Sequence, residues 1–128
     1  MILLVDTHLL IWSTAFSPTL KPRARELLTD PANRLMFSAA SIWEIAIKQT
    51  RGRADFEIDA RLLRRALLAN SWEELPVTSE HTLATIDLPP LHKDPFDRLL
   101  LAQAIVEGLS LLTSDAMLAT YGEPTIKI

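Results

Sequence analysis

Four acidic residues, far apart in the sequence, have the types and positions needed to bind a divalent cation. Asp6 ends the apolar run Ile2–Val5, and Asp115 follows the apolar stretch LSLLTS. Glu44 and Asp97 each stand near the predicted start of a helix, where free backbone amides and the helix dipole favour carboxylates. Carboxylates gathered in one place, in a chain without cysteine, are typical of a site for a hard cation such as Mg2+ or Mn2+.

A carboxylate cluster that holds a divalent cation has a definite chemistry. Without the cation the acids repel one another, which raises some of their pKa values. Two divalent ions would add four charges to the formal net charge of −3 and bring it to +1. Such ions bind a phosphate oxygen, activate a water molecule and stabilise the departing oxygen of a phosphodiester. The four acids therefore predict metal-dependent phosphodiester hydrolysis with one or two ions.

Glu44 and Asp115 also have purely structural interpretations. The stretch SIWE (residues 41–44) has the spacing of a capping box, and Glu44 can pair with Lys48 one turn later. Asp115 can cap a helix over residues 116–120. Asp6 has no adjacent basic residue, so the structural alternative is weakest there.

The stretch HKDPFDRLLLAQA (residues 92–104) leads a polar segment with two aspartates into an apolar helix pattern. Asp94 and Pro95 have the types expected of a helix cap and a first helical residue, so we assign Asp94 a structural role. Asp97 then falls in the first turn, where it can stabilise the helix start and bind a cation at the same time. Arg98 beside it either meets a phosphate or pairs with an acid, and we expect the ion pair.

The order of the apolar patterns predicts an α/β fold. Strands and helices alternate, which is typical of a parallel sheet with helices on both faces. The carboxyl ends of parallel strands meet at one edge with the starts of the following helices, so we expect the four acids to converge there. The predicted strands cover Ile2–Val5 and residues 35–37, 75–77, 109–112 and 125–128, and the predicted helices, besides the one after Pro95, cover residues 8–12, 23–28, 41–48, 62–68 and 116–120.

Composition limits the class of protein. A chain of 128 residues, of which 48% are hydrophobic, predicts one domain over residues 1–128. No apolar run approaches the roughly 18 residues of a membrane-spanning helix, and the N-terminal segment lacks the basic head of an export signal, so we expect a soluble, cytoplasmic protein. The absence of cysteine excludes disulfides and thiolate chemistry. The net charge of −3 argues against indiscriminate binding to nucleic acid.

Several other residues have two interpretations each. A basic segment is either a solvated helix face, which we favour, or a rim that contacts phosphates. No two histidines have ligand spacing on one predicted helix, so we leave His8, His81 and His92 out of the site. The helix over residues 41–48 is apolar around nearly its whole circumference, so we expect it to be buried and Trp43 to pack rather than stack on bases. The basic segment comprises Lys48, Arg51, Arg53, Arg61, Arg64 and Arg65.

Four stretches, in order, resemble the PIN-domain ribonucleases, and specifically the VapC toxins of bacterial type II toxin–antitoxin pairs. They are LLVDTHLLIW, SAASIWEIAIK, HKDPFDRLLLAQA and LLTSD, and together they span essentially the whole chain. The resemblance implies a metal-dependent endoribonuclease with a three-layer α/β/α sandwich around a parallel sheet of four or five short strands. The family threonine falls on Thr113, whose hydroxyl would steady a carboxylate or a metal-bound water. The catalytic and metal-binding acids of the family fall on Asp6, Glu44, Asp97 and Asp115.

The same resemblance implies partners and leaves alternatives. VapC-like proteins are usually homodimers, are neutralised by a cognate antitoxin, and reach DNA only through that antitoxin. A non-catalytic PIN-like binding module is one alternative. A phosphoacceptor receiver domain is a weaker one, because Asp6 is followed by Thr7 instead of a second acid. The substrate implied by the resemblance is RNA, and its candidate contacts here are Lys48, Arg51, Arg53 and Arg98.

Overall fold

Five short parallel strands form one sheet in the structure, a computed structural model that describes residues 1–14, 17–52 and 57–128. The strands are β1 (Ile2–Val5), β2 (Arg34–Ser38), β3 (Glu73–Leu75), β4 (Ser110–Thr113) and β5 (Thr125–Lys127). Their order across the sheet is β3-β2-β1-β4-β5, and every neighbouring pair is parallel. The predicted parallel α/β sheet is confirmed, with five strands.

Helices cover both faces of this sheet. They are α1 (Thr7–Thr14), α2 (Pro22–Thr29), α3 (Ala39–Thr50), α4 (Ala60–Ala69), α5 (Ser79–Ala84), α6 (Pro95–Glu107) and α7 (Ala116–Ala119), with a short 3-10 helix at Thr85–Asp87. One apolar cluster joins Leu3, Val5 and Phe37 of the sheet to α1–α4, and a second joins Leu4 and Leu111 to α6 and α7. The predicted three-layer sandwich is therefore confirmed.

The middle strand β1 explains the apolar run near the N-terminus. Leu3 and Val5 face one cluster and Leu4 faces the other, and all three side chains are fully buried. A strand covered on both faces has no solvent side, so its sequence is apolar without alternation. The chain adds strands first on one side of β1 and then on the other, and such a switch point opens a crevice beyond the ends of β1 and β4.

Three local expectations are wrong. Strand β3 begins at Glu73, two residues before the predicted strand at 75–77, because Pro76 has no amide to donate to a ladder. Helix α3 begins at Ala39 with Ser38 as its cap, so residues 41–44 do not form a capping box. Trp43 of the same helix is 62% exposed rather than packed in the core. The caps predicted for α6 and α7, Asp94 and Asp115, are confirmed.

The described fold also limits the class of protein. No helix within the described ranges is both long and apolar enough to span a bilayer. In a receiver domain the first strand lies between the second and the third, whereas here the second strand lies between the first and the third. The receiver alternative is therefore wrong.

Candidate metal centre

Asp6 lies buried where β1 ends, beside the end of β4. The Thr113 hydroxyl donates a hydrogen bond to Asp6 Oδ2 at 2.5 Å, and the Ser114 amide donates to the same oxygen at 3.3 Å. The Leu9 amide donates to Asp6 Oδ1 at 2.9 Å. These three hydrogen bonds fix the orientation of the carboxylate at the edge of the sheet.

Burial raises the pKa of Asp6 above its ordinary value, and the hydrogen bonds from Thr113, Leu9 and Ser114 oppose that shift. The anionic form of a carboxylate is destabilised when it is removed from water. A cation beside Asp6 would supply the stabilisation that water provides elsewhere. The direction of the pKa shift is therefore the one expected of a buried ligand in the absence of its ion.

Asp97 and Asp115 approach each other across one imidazole. Nε2 of His92 lies 2.8 Å from Asp97 Oδ2 and 3.6 Å from Asp115 Oδ2. Ligand atoms of the three residues all lie within 4.8 Å of one another. Because both neighbours are carboxylates, we assign the ring proton to Nε2, which makes this nitrogen the donor.

His92 is not among the residues predicted for the site, and no periodic pattern reveals it. The one sequence signal is that His92 stands two residues before Asp94, the cap of α6. The segment that precedes α6 lies beside the start of that helix, and this places the His92 imidazole next to Asp97.

Burial, together with the neighbouring negative charges of Asp94 and Asp6, raises the pKa of Asp97 to about 6, while His92 opposes the shift. Burial is the largest cause, and the repulsion from Asp6 is smaller. Asp6, just after β1, is therefore near enough to Asp97 for the two negative charges to repel. Asp97 is therefore less stable as an anion than a carboxylate in water.

Asp115 uses its two carboxylate oxygens differently. Oδ1 accepts hydrogen bonds from the amides of Met117 and Leu118 at 2.8 and 3.0 Å, at the start of α7, whereas Oδ2 faces His92. The Asp115 amide donates to Thr113 Oγ1 at 3.0 Å, so the Thr113 hydroxyl connects Asp115 to Asp6. Helix capping uses Oδ1 and therefore leaves Oδ2 available to a cation.

Glu44 lies buried in the second turn of α3 rather than near the helix start, which corrects its predicted position. Its Oε1 accepts a hydrogen bond from the Thr7 hydroxyl at 2.8 Å, and its Oε2 lies 3.2 Å from Nζ of Lys48. The predicted pairing of Glu44 with Lys48 is confirmed. Because Thr7 directly follows Asp6, this hydroxyl connects Glu44 to the segment that carries Asp6. Among the described residues, the ligand atoms that lie within 4.8 Å of one another are those of His92, Asp97 and Asp115, without Asp6 or Glu44.

The donor set fits a divalent cation. Carboxylate oxygens of Asp97 and Asp115 lie at the start of α6 and beyond the end of β4, and Asp6 is connected to Asp115 through Thr113. Carboxylates are ligands for Mg2+ and Mn2+. With its proton on Nε2, the His92 imidazole donates to Asp97 and is not itself a ligand, but it places a positively polarised group beside the two carboxylates.

Arg98 does not form its expected ion pair with an acid in the part of the chain that the structure describes. Its guanidinium donates to the carbonyl oxygens of Pro89 and Thr85 and to the Tyr121 hydroxyl, at distances of 2.9 to 3.0 Å. A planar guanidinium can satisfy several acceptors at once. Arg98 therefore fastens the start of α6 to the segment before it and to the C-terminal part of the chain.

The remaining basic candidates have different surroundings. Lys48 is engaged by Glu44, Arg51 is exposed at the end of α3, and Arg53 lies outside the described residues. On α4, Arg61 and Arg65 are exposed, and Arg64 pairs with Glu74 at 2.8 Å. This part of the basic segment is an exposed helix face, which both the solvated and the phosphate-contacting interpretation allow.

Comparisons with known proteins agree with the fold. A family model described as PIN domain matches residues 3–124. No curated protein sequence matches the chain. Among solved structures, VapBC2 from Rickettsia felis, bound to a DNA fragment from its promoter, has a TM-score of 0.70 at 16% identity and covers 100% of this chain and 98% of its own.

Two further solved structures show the same similarity. FitAcB from Neisseria gonorrhoeae has a TM-score of 0.66 at 17% identity, covering 100% of this chain and 97% of its own. VapC20 from Mycobacterium tuberculosis, described as a sarcin-ricin loop cleaving toxin, has a TM-score of 0.63 at 15% identity, covering 94% and 95%. At these identities the similarity shows a shared fold.

Proposed function

Because the chain belongs to the PIN domain family, we propose that it is a metal-dependent endoribonuclease and the toxin of a type II toxin–antitoxin pair. The observation that carries this proposal is the convergence of Asp97, Asp115 and His92, with Asp6 alongside, beyond the ends of β1 and β4. These three acids come from separate parts of the sequence, and a divalent cation would offset the repulsion between their charges.

Each residue of the candidate site has its own role. Asp6, Asp97 and Asp115, with Glu44 beside them, would hold Mg2+ or Mn2+, as one or two ions. When bound, a divalent cation neutralises charge on the scissile phosphate and lowers the pKa of the attacking water. Thr113 orients Asp6 through its hydroxyl hydrogen bond. His92 donates from Nε2 to Asp97, which fixes the direction of that carboxylate.

The partners follow from the family and from what the solved relatives are said to contain. Several similar structures are toxin–antitoxin complexes, and one of them includes promoter DNA. We extend this to the present chain: residues 1–128 act as a single PIN domain that forms a homodimer in the cytoplasm. A cognate antitoxin neutralises it and mediates any contact with DNA, and RNA is the substrate.

Metal dependence tests this function directly. The purified chain is expected to cut RNA in Mg2+ or Mn2+, to lose cleavage above background in EDTA, and to recover it when the cation is restored. Mapping of the RNA ends after brief expression in cells would identify the substrate. Cleavage that persists in EDTA would contradict the proposed chemistry, and binding of RNA without cleavage in any cation would instead favour a non-catalytic PIN-like binding module.

A further inference from the structure

Trp43 is a large apolar side chain that the fold does not use for packing. Its indole is 62% exposed, although the neighbouring helix residues Ile45 and Glu44 are buried. Its one aromatic contact is with Phe96 of α6 among the described residues, with ring centroids 5.3 Å apart and planes inclined at 66°. Edge-to-face contact supports the indole while leaving much of its surface open to solvent.

Each ring of this pair is next in sequence to a proposed site acid. Trp43 directly precedes Glu44 on α3, and Phe96 directly precedes Asp97 on α6. Consecutive residues of a helix are separated by about 100° around its axis, so each ring flanks an acid instead of covering it. Because the two rings touch, they lie together between α3 and α6, the helices that carry these two acids.

One exposed cation follows the indole along α3. At about 100° per residue, position 51 lies about 80° from position 43 around the helix axis, and Arg51 is exposed. Lys48 lies about 140° from the indole and is paired with Glu44. A flat apolar surface near a positive charge complements a nucleotide, which joins a flat base to a negative phosphate. A purely apolar protein surface would leave the charge of Arg51 unmatched.

We propose that Trp43, supported by Phe96, stacks on a nucleobase of the single-stranded RNA next to the phosphate held at the acids. This inference rests on the proposed function and adds a substrate-binding surface to it. Stacking of a base on an aromatic side chain is tolerant of base identity. Trp43 therefore positions the strand and leaves the choice of sequence to other contacts.

The effect on cleavage separates this role from a structural one. Trp43→Leu is expected to raise KM roughly tenfold or more, as typical for loss of a base-stacking ring, with a much smaller change in kcat. Trp43→Phe, which keeps an aromatic face, is expected to recover part of the loss. Leu83→Ala is a matched control, since Leu83 is an equally exposed apolar side chain on another helix.

Tryptophan fluorescence gives a readout that does not depend on activity. Trp12 and Trp72 are half-buried, so Trp43 is the most exposed of the three indoles. Oligoadenylate and oligouridylate, added in Mg2+ and measured before cleavage has advanced, are expected to quench the fluorescence of the wild-type protein and to leave Trp43→Leu largely unchanged. RNA binding by both proteins, followed by anisotropy of labelled RNA, is the accompanying measurement.

The outcomes separate failure of this inference from failure of the proposed function. If the wild type cuts RNA and Trp43→Leu has the same KM and the same quenching, the inference is overturned and the proposed function stands. If Trp43 fluorescence changes with protein concentration but not with RNA, the ring pair is a protein interface, and the inference is again overturned. If the wild type neither binds nor cuts RNA, both this inference and the proposed function are wrong.

Discussion

Replacing Asp97 with asparagine is expected to slow RNA cleavage on the order of 100-fold or more, because loss of even an outer-shell partner of a metal site costs about 10- to 100-fold. Asparagine keeps the size of the side chain and its place in the first turn of α6. It removes the negative charge that faces His92 and Asp115. Initial rates on a fixed RNA, in saturating Mg2+, measure the effect, and Asp6→Asn should behave similarly.

Asp94→Asn is the matched control for that loss. Asp94 lies three residues earlier in the same stretch and caps α6 by accepting from the amides of Phe96 and Asp97. Asparagine caps helices about as well as aspartate, so the variant removes the same charge without removing a proposed ligand. Its cleavage rate is expected to stay close to wild type. Wild-type rates in folded Asp6→Asn and Asp97→Asn would show that the proposed site is wrong.

The second large effect concerns stability in the absence of a cation. The pKa of Asp97 is raised from 3.8 to about 6 in the folded chain. A carboxyl group with a raised pKa favours folding while it is protonated, so this contribution is fully present below pH 4 and is lost as the pH rises through about 6. At about 1.4 kcal/mol per pKa unit, the loss is at most about 3 kcal/mol. Asp6 acts in the same direction.

Asp97→Asn is therefore expected to be more stable than wild type in EDTA at pH 8, by up to about 3 kcal/mol, with little difference at pH 4. Urea denaturation at several pH values measures this, and Mg2+ should stabilise the wild type selectively at pH 8. Asp59→Asn is a control, because the pKa of Asp59 is shifted in the opposite direction. Hydrogen bonds from the Leu62 and Arg61 amides lower this pKa, although partial desolvation opposes them. The contribution of Asp59 to the free energy of unfolding therefore changes only below pH 4. A stability difference between Asp97→Asn and wild type that does not grow from pH 4 to pH 8 in EDTA would contradict the expected penalty.

The parts of the fold that follow from local chemistry were predictable. An uninterrupted apolar run identifies β1 because both of its faces are covered, and Asp94 followed by Pro95 identifies the start of α6. The predicted position of β3 is two residues too late because this strand begins with two acidic residues. Glu73 and Glu74 form ion pairs with Arg34 and Arg64, which lie on other elements. Helix α5 was missed because its sequence SEHTLA has no apolar stripe, and its cap depends on a hydrogen bond between Thr78 and the His81 ring.

The candidate site likewise has features that the sequence predicts and features that depend on packing. The types of the four acids and their places at strand ends and helices indicate a cation site without knowledge of distances. The contacts of Glu44 with Thr7 and of His92 with Asp97 depend on how the elements pack. No pattern in the sequence indicates that the two residues of either pair meet. The exposure of Trp43 is of this kind too, because an apolar residue in an apolar helix is ordinarily buried.

Titration calorimetry with Mn2+ in the absence of RNA shows whether these acids hold a divalent cation together. We expect saturable Mn2+ binding by wild type and by Asp94→Asn, and binding at least about tenfold weaker by Asp97→Asn and Asp6→Asn. Absence of Mn2+ binding by the folded wild type, or equal affinity in all four proteins, would contradict this expectation.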